Sequence, residues 1–229
     1  MKNTLPEIQT REYRIHRIII RVMLLLLTVE WFLLLLDQSW LSLFLVTLII
    51  ITVFSPILFR NKLSMEIPAE LHLTAVIFVF ASFYLGEVQD FYYRVWWWDM
   101  ALHTSAGLLM GILGFILVYV LNESNNIHVN LTPGFTAFFA FTFALAIGSV
   151  WEIFEFGMDQ LFGMNMQKEM MGDPSGLTDT MWDIIVNAIG AFLITFAGYG
   201  YLHSGKSYFV KDWIKSFIDK NPNMFKEKE

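Results

Sequence analysis

Six runs of roughly twenty mostly apolar residues occupy this chain, at 15–36, 40–59, 69–88, 99–121, 133–156 and 181–202. A run of that length is what an α-helix needs to cross the ~30 Å hydrocarbon core of a bilayer. Lipid offers no partner for an exposed backbone N–H or C=O, so segments of this kind fold as helices. The sequence therefore predicts an all-α fold: an integral membrane bundle of about six transmembrane helices. Of the 229 residues, 56% are hydrophobic and only 16% charged, against about 25% charged in soluble domains. The first run is too long for a signal-peptide core and lacks a small-residue cleavage site, so it reads as a retained span.

No internal repeat or low-complexity linker interrupts the runs. The simplest organisation is one six-span membrane domain over 1–203 and a tail over 204–229. In that tail Phe209, Val210, Trp213, Ile214, Phe217 and Ile218 fall on one helical face. This pattern predicts an amphipathic helix on the membrane surface, stopped by Asn221-Pro222.

Orientation follows from the cations, because cytoplasmic loops carry the excess of Lys and Arg. Six spans place both termini on one side. Of the 15 Lys and Arg, all but Arg94 and Lys168 fall on that side. Both termini are therefore expected in the cytoplasm. The net charge of −6 leaves no electrostatic footprint for nucleic acid. There is no cysteine, which excludes disulfides, a thiol nucleophile and a zinc–thiolate site.

Against this apolar background, three polar clusters stand at the outer ends of spans. They are Trp98-Asp99-x3-His103, Glu152-x2-Glu155-x3-Asp159 and Asp179-Thr180-x2-Asp183-x3-Asn187. A charge at the centre of a membrane helix costs roughly 2.5 kcal/mol or more, so such residues usually mark function. Residues three or four apart share a helical face, so each cluster points one way. The orientation puts all three in one leaflet. Six carboxyls there face few cations, and carboxylates that share a site cannot all ionise without compensation. Either some hold protons or a bound cation neutralises them. Carboxylate, imidazole and amide ligands suit Mg, Mn, Ca or Zn.

Plainer accounts exist for parts of this pattern. Asp99 and Asp179-Thr180 are equally good helix N-caps, and their charge suits a helix N-terminus. Glu152, Asp183 and His103 lie deeper, where a hydrogen-bonded network without a ligand is the alternative. Tyr92, Tyr93, Trp96, Trp97 and Trp98 read as an interfacial aromatic belt. Gly107-x3-Gly111 and Gly190 suit close helix packing. Glu30, about two turns from the end of the first span, would face the same cavity. The loop 157–180 holds Met158, Met164, Met166, Met170 and Met171. Those thioethers suit a flexible apolar lid better than a Cu(I) site.

At these clusters the chain resembles bacterial inner-membrane proteins of the YjdF type. The matching residues are Trp98-Asp99-x3-His103 with Gly107, Glu152-x2-Glu155, and Gly176-x2-Asp179-Thr180-x2-Asp183-x3-Asn187-x2-Gly190-Ala191. They cover about half the chain. The last piece is also similar to VanZ-like membrane proteins, although the Arg those proteins usually carry upstream of that Asp is missing here. The first resemblance implies a small multi-pass protein of the bacterial cytoplasmic membrane and carries over no established catalytic residue.

The sequence contains no HExxH, GxSxG or Walker loop, signatures of proteases, esterases and nucleotide hydrolases. What remains is an acidic, divalent-cation-binding site at the extracytoplasmic face. The leading expectation is a metal-dependent enzyme acting on membrane lipid or a lipid-linked substrate. His103, Glu152, Glu155, Asp159 and Asp183 are its candidate metal ligands. Glu152, Glu155, Asp183 and His103 are also its candidate acid/base groups, with Asp99, Asp179 and Asn187 supporting. The rivals are a proton- or cation-coupled transporter and a non-enzymatic membrane scaffold or regulatory protein.

Overall fold

The computed structural model describes residues 5–59, 69–123, 131–204 and 221. Among them every regular element is helical, as the apolar runs require. The helices are α1 (Leu5–Leu36), α2 (Trp40–Phe59), α3 (Ala69–Val79), α4 (Phe91–Arg94), α5 (Trp98–Glu123), α6 (Pro133–Phe162) and α7 (Leu177–Ser204), with a π-helical stretch at Phe80–Val88 prolonging α3. Five helical stretches are long and apolar enough to cross a membrane, and α2 adds a shorter apolar one at Trp40–Phe54. The expected tail helix at 209–218 lies outside the described residues. The chain separates into two compact units, Met1–Arg94 and Val95–Glu229.

In the first unit, α1 turns into α2 through Asp37-Gln38-Ser39. Gln38 takes a left-handed φ of 56°, and the Ser39 amide donates back to the Leu34 carbonyl. Leu27, Val46 and Ile49 are fully buried where α1 meets α2. The Trp31 indole donates to the Thr47 hydroxyl at 3.0 Å, which satisfies a polar atom that lipid would leave bare. The π-helical turns were not foreseen from the apolar pattern, which is indifferent to one wide turn. They end where the Gln89 amide donates to the Tyr84 carbonyl at 2.9 Å. Glu30 belongs to this unit and stands beside the Tyr84 hydroxyl, a local partner for its carboxylate. Arg94 pairs with Asp90 across one helical turn at 3.4 Å, both exposed.

The second unit is a bundle of α5, α6 and α7. α6 starts at a Thr132 cap that accepts from the Phe135 amide, with Pro133 in the first turn, and stops at Gly163 with a left-handed φ of 64°. It runs two turns past the span end expected at 156. Thirty residues span ~45 Å at 1.5 Å each, longer than the hydrocarbon.

Small residues let the helices touch backbone to backbone. A Cβ on Gly107 would overlap the Asn187 carbonyl oxygen, and one on Gly190 would overlap the Thr104 carbonyl oxygen. The contact is reciprocal, since each helix supplies the glycine that accepts the other's carbonyl. Gly114 meets the Cα of Ala140 in the same way, joining α5 to α6. Hydroxyls within the spans mostly donate to their own helix one turn back, as Thr104 does to Met100, Ser105 to Ala101, and Ser149 to Leu145.

Neither backbone can retreat without opening the bundle. Gly107→Ala and Gly190→Ala should therefore each lower stability by about 1–3 kcal/mol, the usual cost of overpacking. Gly134→Ala, where an added Cβ meets nothing within 4 Å, should be near neutral. Thermal unfolding of the detergent-solubilised protein reads the difference.

Candidate functional site

The α5–α7 contact decides which polar side chains meet. Gly107 lies one turn beyond His103 on α5, and its approach to Asn187 brings His103 level with Asp183 on α7. Among the described residues, Asp99, His103 and Asp183 form a group whose ligand atoms all lie within 4.8 Å of one another. His103 Nε2 is 3.5 Å from Asp99 Oδ1, as the one-turn spacing required. Its Nδ1 is 3.5 Å from Glu152 Oε1 on α6. One imidazole thus links the first two sequence clusters.

Burial is severe for most of this set. Asp183 is fully enclosed, Asn187 1% exposed, Asp179 2% and Glu152 3%. Asp183 feels the charges of Asp99, Asp179, Glu152 and Glu155, so five carboxyls share one electrostatic neighbourhood. Both oxygens of Asp183 lack a hydrogen-bond partner. Thr180 accepts from Gln167 Nε2 at 2.6 Å, which leaves its hydroxyl proton free for Glu152 beside it. A buried polar atom without a partner ordinarily costs ~1–3 kcal/mol, and more when charged. Most buried polar atoms in proteins find partners, so unpartnered ones call for a specific explanation.

The other acids have protein partners. Glu155 accepts from the Trp151 indole one turn earlier at 2.8 Å. Asn187 sits one turn below Asp183 and donates to the Ala144 carbonyl at 3.3 Å, tying α7 to α6. Gly148 leaves room for that amide, because a Cβ there would strike the Asn187 side chain.

Asp159 has a different surrounding. α6 does continue to it, but its two carboxylate oxygens accept the Met166 and Gln167 amides at 2.7 and 2.9 Å. Asp179 similarly accepts the Lys168 amide at 2.7 Å. Three successive amides of the returning loop are thus held by two carboxylates. The methionine-rich segment is a strap pinned at its middle by carboxylates from the end of α6 and the start of α7. Met164, Met166 and Met170 are half-buried in it, whereas Met171 is 76% exposed.

The caps are not where the sequence placed them. α7 begins at Leu177, so Asp179 is already inside its first turn. The capping is done upstream. Asp173 accepts the Ser175 amide at 2.9 Å and the Thr178 amide and hydroxyl at 3.0 and 2.8 Å. Ser175 Oγ accepts the Leu177 amide at 3.3 Å. The run Asp173-Pro174-Ser175-Gly176 has the composition of a turn, which does not by itself show that its acid caps α7. Trp151, Gln167 and Thr180 were also missed as partners. Only Trp151, one helical turn before Glu155, had a readable spacing.

Residues 19–204 match a family model described as "Predicted membrane protein (DUF2238)". The chain belongs to this family. The YjdF-type resemblance is to the same family, while the VanZ-like likeness is not shown. An uncharacterized protein of Thermotoga maritima is 28% identical over 140 residues, 61% of this chain and 67% of that one. No solved structure matches. The family description agrees with the apolar helices that this is a membrane protein.

Hydrogen bonds from Ser175 and then Thr178 hold the Asp173 carboxyl well below the usual carboxylate range. A depressed folded value stabilises the turn fully above the ordinary Asp range near pH 4, and that contribution is lost as pH falls through the folded value. The Ser175 and Thr178 amides should stay protected from hydrogen exchange at neutral pH and lose protection only in strong acid. Asp173→Asn should expose them severalfold at neutral pH, a difference that closes in strong acid. Protection unchanged in that variant would show that the cap is dispensable.

Proposed function

We propose that this chain is a divalent-cation-dependent protein of the bacterial cytoplasmic membrane, with both termini in the cytoplasm. It acts on a membrane lipid or lipid-linked substrate at the extracytoplasmic face. The observation that carries the reading is Asp183, a fully enclosed carboxyl without a hydrogen-bond donor, converging with Asp99 and His103. Enclosing an ionised carboxylate costs several kcal/mol unless a partner offsets it, and a dication is such a partner. Three protein ligands leave a coordination position for water or a substrate oxygen. The ion would then polarise that oxygen or activate the water. Glu155, in the same electrostatic neighbourhood as Asp183, is the acid/base group, while Glu152 faces His103 Nδ1.

Placement favours a lipid headgroup. The site lies at the start of α5 and α7 and beside the strap, and α5 is preceded in the chain by Trp96 at 79% exposure and Trp97 at 47%. Aromatic residues of this kind sit at headgroup depth. The carrier reading has less support. Deeper in the bundle Thr104, Ser105, Ser149 and Thr195 donate to their own helices, and no series of acids continues along the described part of these spans.

The test is conversion of native lipid extract by protein in nanodiscs, followed by mass spectrometry with and without chelator. Product formation should need a divalent ion and fall at least ~100-fold in Asp183→Asn, since even indirect partners of a metal are worth 10–100-fold. Conversion by chelated protein, or full conversion by Asp183→Asn, would sink the proposal. Gradient-driven cation flux without lipid conversion would select the carrier instead.

A further inference from the structure

We propose that Asp99, His103 and Asp183 are the three protein ligands of a first-row transition dication of the zinc or manganese class, with His103 binding through Nε2 and Glu152 orienting the ring through Nδ1. This rests on the cation reading above and is independent of the lipid chemistry.

The ligand set is defined by geometry. Zinc bonds of about 2.0–2.2 Å in a tetrahedral shell put ligand atoms roughly 3.3–3.6 Å apart. His103 Nε2 and Asp99 Oδ1 are already 3.5 Å apart, and Asp183 offers an oxygen within 4.8 Å of a His103 ring nitrogen and an Asp99 carboxylate oxygen. A side-chain movement of about one ångström would close the shell. Asp183 has no protein donor to give up.

The class of ion follows from the donors. Calcium and magnesium take shells of oxygen. Imidazole beside carboxylates shifts preference towards manganese, iron or zinc. The chain has no cysteine to draw a softer metal.

Glu152 takes a different part. It is 3% exposed, and its Oε1 lies 3.5 Å from Nδ1. With Nε2 on a metal, the neutral ring must carry its proton on Nδ1, and Glu152 then gains a donor. Carboxylate–histidine–metal arrangements fix the tautomer and ring orientation in this manner. Each helix of the bundle would contribute: α5 two ligands, α7 the third, and α6 the orienting acid. Glu155 has its own indole donor, and Asp159 holds the strap.

The experiment is metal analysis of the purified full-length protein in nanodiscs, equilibrated with zinc, manganese, magnesium or calcium. One equivalent of zinc or manganese should bind and resist a roughly 100-fold excess of magnesium or calcium. Zinc K-edge absorption of the wild type, which needs no variant, should show a single imidazole among oxygen scatterers. His103→Ala and Asp183→Asn should lose the ion while keeping the wild-type circular dichroism and elution volume. Glu152→Gln should keep the stoichiometry with ~10–100-fold weaker affinity, and Asp159→Asn should bind as wild type. A spectrum without imidazole, or a Glu152→Gln or Asp159→Asn protein as empty as Asp183→Asn, overturns the assignment. Stoichiometric magnesium or calcium that excludes zinc and manganese, lost in Asp183→Asn, overturns the ligand class but leaves the cation reading standing. Absence of any bound dication overturns both.

Discussion

The bundle of the second unit depends on one contact, the reciprocal approach of α5 and α7 through Gly107 and Gly190. Lipid tails are as apolar as leucine, so helices in a bilayer gain little by hiding apolar surface from one another. Close packing at small residues and polar contacts between helices hold them instead. Here the same glycines that permit the contact also set its register. His103 and Asp183 lie one helical turn before Gly107 and Asn187 in their respective helices, on the faces the contact brings together. Removing the contact would dissolve the site along with the packing.

This coupling explains why so many acids are tolerated in a small apolar volume. Asp159 and Asp179 accept amides of the strap, and Glu155 accepts an indole. These three are accounted for by the protein. Asp183 is not, and it is fully enclosed. A scaffold that needed buried acids only for packing would gain by giving each a donor. Unpartnered Asp183 therefore favours a ligand site over a structural network more than the number of acids does.

Much of this was legible. The apolar runs predicted the helices, because in a membrane the backbone must satisfy itself within each segment. One-turn spacing correctly paired Asp99 with His103, a relation internal to α5. The strap was less readable. Asp159 looked like a member of its cluster because helical spacing reports direction, not which loop returns to meet it. Asp179 looked like a cap because the start of α7 was placed four residues late. The true cap, Asp173, sits in a turn whose composition signals a reversal of the chain but not which amides its acid will meet. The π-helical turns after α3 left no trace in hydropathy, since widening one turn preserves the apolar content.

By itself the sequence determined that the chain spans a membrane as helices, and which segments carry costly polar groups. Both follow from local composition, which fixes how each segment meets lipid. It could not determine which of those groups would share a space, because that depends on the depth and rotation at which two helices stop against each other. The tertiary structure decided this through backbone contacts at Gly107, Gly114 and Gly190. It sorted the acids into those that hold the strap, those with side-chain donors, and the enclosed Asp183, which faces Asp99 and His103 with no donor of its own.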